Sequence, residues 1–525
     1  MHQKIIPSGT FLRISTIICL FIWFAVMPRV SGANTDVRGS MVKIYSIQNE
    51  PDYNNPWNMK GPESSSGSGC VISENRILTN AHVVSDQTYL QVRLHGQPAK
   101  HPAKVIAVSH DADLALITVA DPSFFRGVKP LAFGQLPELE QEAVVYGFPE
   151  GGDSLSTTKG VISRIEHQRY AHSLVALLAG QLDAAINAGN SGGPVMVEDK
   201  IVGVVMQTRK KSENIGYMVP VPVVDHFLTD VADGRYDGIP EDGVIVQSME
   251  NASLKKMHGL NENQTGALVI AVAPGSSAEG QILPGDVILA IDGHPVADDA
   301  TVEFRPKERT HCDYYIQKHQ IGEHVSYTIL RQGTPKTVEF ALNDNCGSSR
   351  LIPKYRYDVQ PTYFVYGGLV FSPITLNYIM TWGHNWTQAA PFNLVNYYLY
   401  GQPVHDDEEV VSIIKVLPFT SNNSYDNFTN DRIVEANGVQ IRNLRHLISI
   451  VEAESHSPFI VFKTESGYRL ALDRQTVDKR QTEILDRYKI KADRSLDLVS
   501  ASIEDEYDKG KMARAAQAFV ERNHF

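Results

Sequence analysis

Between residues 70 and 219 the chain is cut into short β-prone runs by turn residues, and no helical period is sustained. The first group lies at 70–72, 77–79, 89–94, 104–108 and 114–119, with a strand-like run upstream at 41–47. The second lies at 142–146, 160–165, 182–186, 193–197, 201–206 and 217–219. Strands this short and closely spaced pair antiparallel, in barrels or sandwiches. Two groups of about six predict two small barrels, followed by a short helix over 223–232. The Ser/Gly-rich stretch 61–69 reads as a flexible turn.

The chain has 525 residues, too many for a single core. An Asp/Gly/Pro-rich linker at 233–243 opens a third unit. It contains a strand at 267–272, a turn at 274–278 leading into a short helix, the turn Pro284-Gly285-Asp286, a buried strand from Val287, and a hairpin of 325–330 with 337–342. A fourth unit repeats this order weakly, with 410–417, 431–438 and a hairpin of 459–463 with 468–472. The pattern predicts an internal duplication with long insertions. The expected division is a leader over 1–33, the double barrel over 34–235, the third unit over 236–345, the fourth over 350–480 and a charged, helix-prone tail over 481–525. Within that tail, 512–520 suits an exposed or partner-binding helix.

The N-terminus reads as a secretory signal. Lys4 and Arg13 precede the uncharged, mostly apolar run 14–27, and Ser31-Gly32-Ala33 offers small residues for cleavage. The run is short for a membrane span and no second one follows, so no stable span is expected after cleavage. A periplasm is the expected compartment, a eukaryotic secretory route the alternative; an uncleaved leader would keep the protein on the membrane. The net charge of −12 argues against nucleic acid as a partner. Of four cysteines, Cys19 leaves with the leader. Cys70 lies in an apolar run and reads as a small buried residue, while Cys312 and Cys346 are candidates to pair in an oxidising compartment.

One serine stands among glycines in Gly189-Asn190-Ser191-Gly192-Gly193-Pro194. A serine hydroxyl needs a base to take its proton and donors to hold the oxyanion it creates. Leu78-Thr79-Asn80-Ala81-His82 sets a histidine just past a strand, and Asp113 opens another in Asp113-Leu114-Ala115-Leu116. In the order His, Asp, Ser they match one solution of the Ser/His/Asp triad. Ser191 Oγ attacks a carbonyl, His82 accepts and returns the proton, and Asp113 holds the imidazole tautomer. The N–H groups of Ser191 and Gly189, with Asn190 nearby, are the candidate oxyanion hole. Gly189-Asn190-Ser191-Gly192-Gly193 also fits the G-x-S-x-G elbow of α/β-hydrolases. That elbow needs a helix after the serine and its partners downstream; here a β-run follows Pro194 and both partners precede. Such a mechanism requires no cofactor, and no metal-ligand spacing stands out among the 18 histidines.

These three motifs resemble those of the HtrA/Deg serine proteases, and Gly216-Tyr217-Met218-Val219-Pro220 resembles their substrate-pocket loop. The third unit is similar to a PDZ domain through Ala273-Pro274-Gly275-Ser276-Ser277-Ala278 and Leu283-Pro284-Gly285-Asp286-Val287-Ile288. The fourth opens with Tyr363-Phe364-Val365-Tyr366-Gly367-Gly368-Leu369, which resembles the second PDZ domain of the plant-type Deg proteases. The resemblance implies a mainly β chain: a chymotrypsin-like double β-barrel, two PDZ-like domains and a short helical C-terminal tail. It also implies proteolysis of unfolded or misfolded proteins in quality control, and assembly into homotrimers or multiples of them.

Where trypsin-type enzymes carry a pocket Asp, this chain has Ala185. With Ile186, Ile215 and Gly216 at the pocket, cleavage after small or medium aliphatic residues is expected. Asn190 replaces the Asp that pairs with a newly cut N-terminus in zymogens, so activation is expected from loop ordering, with 164–178 as a candidate regulatory loop. PDZ domains capture C-terminal peptides on a sheet edge, with backbone amides holding the carboxylate. Gly238 and Ile239, beside the strand 243–247, are the candidates in the first; Gly367, Gly368 and Leu369 are those in the second. The alternative to a working protease is a chaperone or scaffold with a resting protease site.

Overall fold

The computed structural model describes residues 36–150, 152–208, 215–261, 263–343, 350–405, 407–453 and 457–499. The leader, Cys346 and the expected helix at 512–520 lie outside the described residues.

The first barrel closes in the order β1 (Met41–Gln48), β2 (Glu63–Ile72), β3 (Arg76–Thr79), β6 (Leu114–Val119), β5 (His101–Ser109) and β4 (Gln87–Leu94). Residues 61–69 are not a flexible turn. β2 pairs with β1 along the whole of β1, from Met41↔Cys70 to Gln48↔Glu63. Its small residues serve close approach: a Cβ on Gly67 would lie 2.7 Å from Val83, so the strand passes directly beneath the helix α1 (Ala81–Val84). Cys70 is buried, which pushes its thiol up to about 12 and leaves it inert.

The second barrel runs β11 (Pro194–Val197), β8 (Glu142–Gly147), β9 (Ser156–Arg169), β10 (Ala176–Asp183), β13 (Ile215–Pro220) and β12 (Lys200–Thr208). It closes through β11–β12, and β7 (Ala132–Phe133) adds to β12 in parallel. The segment 164–178 is mostly strand: β9 and β10 pair from Val161↔Asp183 out to Arg169↔Ala176. Only 170–175 remain as a tip, anchored by the buried Tyr170, whose hydroxyl donates to Leu178 C=O at 2.6 Å. The helix α2 (Val221–Asp230) buries Val224 and Phe227 in the core shared by the two barrels.

The third unit is a sheet ordered β14 (Val244–Gln247), β15 (Ala267–Val272), β16 (Val287–Ile291), β20 (His324–Arg331) and β21 (Thr334–Ala341), with β17 (His294–Pro295) on β16. A hairpin of β18 (Thr301–Arg305) and β19 (Glu308–His311) rests on the protease: His167 N–H donates to Thr310 Oγ1 at 3.0 Å, and Gln317 Nε2 donates to Ala176 C=O at 3.0 Å. The helix expected after residues 274–278 is instead a run of turns, tied by Ala278 N–H to Asp242 C=O.

The fourth unit has two small sheets, β22 (Phe364–Tyr366) with β23 (Leu369–Pro373) and β24 (Val411–Val416), and β26 (Val439–Gln440) with β25 (Ile433–Ala436), β27 (Phe459–Thr464) and β28 (Arg469–Asp473). The helix Leu444–Glu452 buries one face between them. Part of the expected tail belongs to this core, since Ile484 and Ile490 are buried with Leu394 and Val410. Tyr53, Trp57 and Leu174 of the barrels pack on the same cluster.

Candidate active site

The site lies between the barrels. The first barrel supplies His82 on α1, immediately after β3, and Asp113 at the turn from β5 into β6. Asp113 sits at φ +53, a left-handed conformation that Asp tolerates better than most residues. Asn80 Nδ2 holds its carbonyl at 2.8 Å, and the His82 N–H donates to Oδ1 at 3.0 Å. Across the same gap His82 Nδ1 meets Asp113 Oδ2 at 2.8 Å. With Nδ1 so engaged, the proton-accepting nitrogen left for chemistry is Nε2. Burial on its own would hold the His82 pKa down, but the Asp113 carboxylate outweighs it and the net shift is upward. Burial likewise works against the Asp113 charge, yet its pairing with His82 brings its pKa below the usual range.

The second barrel supplies Ser191 and the turn before it. Asn190 N–H donates to Asn187 C=O at 3.1 Å, and Gly189 stands at φ +91. A four-residue turn with positive φ at its third position is type II and favours glycine there. The flanking carbonyls are pinned outward. Ala188 C=O accepts Glu150 N–H at 2.7 Å, and Gly189 C=O accepts the Ser68 hydroxyl at 2.7 Å. Ser68 Oγ in turn accepts Phe148 N–H at 2.8 Å, and Ser68 N–H donates to Ser191 C=O at 2.8 Å. Because a trans peptide sets N–H opposite C=O, pinning Ala188 C=O aims Gly189 N–H the other way. Asn190 N–H is committed inside the turn, which leaves Gly189 and Ser191 as the donor pair. Ser191 Oγ faces Met206 C=O at 3.5 Å. Proton transfer to His82 therefore calls for a turn of the Ser191 side chain, the loose nucleophile–base contact common in a free enzyme.

The four expected pocket residues divide. Ala185 is exposed and carries no charge into the site. Ile186 lies against Gly216, where an added Cβ would stand 2.1 Å from Ile186 Cδ1. Ile215 packs on the core between the barrels.

Neither PDZ loop is arranged as expected. The N–H groups of Asp237 and Gly238 donate to the Asp230 carboxylate at 2.9 and 3.0 Å, so they are spent within the chain. Ile239 packs on the protease core beside Tyr236, whose hydroxyl is 2.6 Å from Ser109 Oγ. In the second unit Gly367 and Gly368, at φ +58 and +84, are the two turn residues between Tyr366 and Leu369. Two positive φ values make this a type I′ hairpin. Its Gly367 N–H goes to Gln481 Oε1 at 3.1 Å, and Leu369 is fully buried. The chain's own segment 493–495 lines the edge of β22: Val365 N–H donates to Asp493 C=O at 2.6 Å, and Ser495 N–H to Tyr363 C=O at 3.1 Å.

Sequence reasoning missed Ser68, His172 and Tyr357. The ring of His172, at the β9–β10 tip, lies 6.1 Å from that of His82. Cys312 is buried as a free thiol. It stands beside His311 and Asp313, the group of metal-type ligands found among the described residues.

Two closed barrels with this site between them define a serine endopeptidase of the trypsin-like class. The trypsin-like peptidase domain family matches residues 67–204, and PDZ domain families match 243–342 and 352–497. Protease Do-like 4, mitochondrial, from Arabidopsis thaliana is 38% identical over 414 residues, covering 79% of this chain and 76% of that protein. Protease Do-like 2, chloroplastic, from the same plant is 35% identical, covering 89% and 76%. A solved HtrA-type protease, AlgW with a decapeptide, is 23% identical with a TM-score of 0.44, covering 60% of this chain and 98% of that one. The chain belongs to the Deg (Do-like) family of HtrA-type serine proteases.

Proposed function

We propose that His82, Asp113 and Ser191 are the general base, its orienting carboxylate and the nucleophile, with the N–H groups of Gly189 and Ser191 as the oxyanion hole. The observation that carries the reading is the preset turn at 187–190, held by Glu150 and Ser68 with its Gly189 N–H directed away from the pinned Ala188 carbonyl. A preset hole favours a working protease over a scaffold with a resting site, because no reordering is then needed to receive the oxyanion. Ser191→Ala against the natural chain on unfolded casein is the test. Equal degradation by both would exclude the assignment.

The substrate class is unfolded or damaged protein, in keeping with the family and with the uncharged pocket. Ile186 narrows that pocket, so cuts should fall after small or medium aliphatic residues. Most cuts falling after Lys or Arg would overturn this. The space beside the start of β14, a cavity of about 270 Å³ lined by Pro240, Asp242, Gly243 and Ile316, is the better place for a C-terminal peptide on the first PDZ domain. The second PDZ domain, whose β22 edge is taken by 493–495, serves assembly and docking. A homotrimer, or a multiple of one, is the proposed assembly, read out by mass in solution with and without substrate.

No helix among the described residues is long and apolar enough to cross a membrane. The relatives' names place them in mitochondria and chloroplasts. The basic, acid-free stretch 1–33 suits import into an organelle as well as secretion. The mature N-terminus decides between them: cleavage after Ala33 supports secretion, and processing coupled to organelle import supports a transit sequence.

A further inference from the structure

The opening segment of the second PDZ domain, ahead of β22, runs past the catalytic dyad and is fixed to each element that carries it. Tyr357 stacks on His172 with ring centroids 3.9 Å apart and planes 18° apart, and on His110 at 4.5 Å and 19°. Its hydroxyl donates to His172 C=O at 2.8 Å. The two imidazoles meet each other, His110 Nδ1 to His172 Nε2, at 3.0 Å. His110 stands three residues before Asp113 and its carbonyl accepts the Asp113 N–H at 3.2 Å. Asp358 then zips the segment to the exit of α1. Its N–H donates to Asp86 Oδ1 at 2.9 Å, its own Oδ1 accepts Asp86 N–H at 2.7 Å, and His110 Nε2 lies 3.4 Å from its Oδ2.

Asp113 is buried, and His172 and Tyr170 both lie near enough to interact with its carboxylate. Burial pushes the His172 pKa down to about 3, so its ring is neutral at working pH and adds no competing charge beside the dyad. The position of that ring is set in part from outside its own loop: one face rests on Tyr357, a residue 185 positions further along the chain.

We infer that Tyr357 is a positioning residue for catalysis: by stacking on His172 and His110 it holds the wall that keeps the Asp113 carboxylate dry and aligned with His82, so turnover depends on the docked opening segment of the second PDZ domain. A dyad opened to water loses the low-dielectric pairing that stabilises the imidazolium formed as Ser191 attacks. Tyr357 touches no reacting atom, so its removal should act on kcat and spare KM. The inference rests on the triad assignment above.

The test uses the full chain with a quenched peptide carrying an aliphatic residue at the cut site. Tyr357→Ala should lower kcat by about 10- to 100-fold with KM changed by less than about threefold. Tyr357→Phe, which keeps the stack and loses only the hydroxyl, should stay within about twofold of the natural chain. If Tyr357→Ala does not fold by near-UV circular dichroism, Tyr357→Leu takes its place, and a kcat loss of at least about fivefold is expected. A natural kcat in the folded Ala or Leu variant overturns the inference, as does a Phe variant as damaged as either. Ser191→Ala runs alongside: if it still turns over substrate, the triad assignment has failed rather than the role of Tyr357.

Discussion

Ser68→Ala isolates the preset turn. The Ser68 side chain is fully buried and makes two hydrogen bonds, to Gly189 C=O at 2.7 Å and from Phe148 N–H at 2.8 Å. Removing the hydroxyl leaves two buried backbone groups unpaired, each costing about 1–3 kcal/mol. The chain can recover part of this by shifting the 188–190 peptides, because only Glu150 N–H on Ala188 C=O and the turn's own Asn190 N–H bond to Asn187 C=O then restrain them. That relaxation takes Gly189 N–H out of line, and losing one oxyanion donor costs about 10²–10³ in kcat. The expected result is a kcat lowered at least about tenfold with KM nearly unchanged, slower reaction of Ser191 with a fluorophosphonate, and a melting temperature down by several degrees. Steady-state kinetics on the quenched peptide read the first, and labelling kinetics the second. A variant that melts earlier but keeps kcat within about twofold would refute the reasoning, since Ser68 would then only fill space.

Four further outcomes are open to measurement. As the proposed general base His82 must be neutral, and its pKa lies above its ordinary 6.5, so the acid limb of kcat/KM should fall above that value, with activity lost as pH drops through it. In Asp113→Asn that limb should move down while kcat falls by orders of magnitude; an unmoved limb would reject Asp113 as the cause. Asp242 is buried against the Tyr327 hydroxyl, and burial, then the nearby Asp313 carboxylate, push its pKa up to about 7. A raised carboxylate pKa costs stability progressively as pH climbs from the unfolded value near 4 towards 7, by at most about 4 kcal/mol, so Asp242→Asn should flatten the pH dependence of the melt in that range. Truncation after Lys491 removes the strand-like segment from β22 and should destabilise the second PDZ domain; an unchanged melt would show that edge to be stable without it.

What was legible in the sequence was local. Strand runs, their turns and the three catalytic motifs each lie within a few residues, where backbone propensity and glycine geometry decide the outcome. The loop donors were misread because an N–H group looks available until its acceptor is known: Asp230 answers Asp237 and Gly238, and Gln481 answers Gly367 from 114 positions away. The stretch 61–69 looked flexible for a similar reason, since small residues in a tight crossing and in a loose loop read alike.

The sequence alone therefore determined the class of fold, two β-barrels and two PDZ-like units, and named His82, Asp113 and Ser191. Only the tertiary structure decided how they are held. Ser68 meets the oxyanion turn across 121 positions, and Tyr357 meets His172 across 185. Contacts of that range leave no periodic trace in composition or spacing. They arise when separate cores pack, and the packing, not the motif, sets where Gly189 N–H points and what shields Asp113.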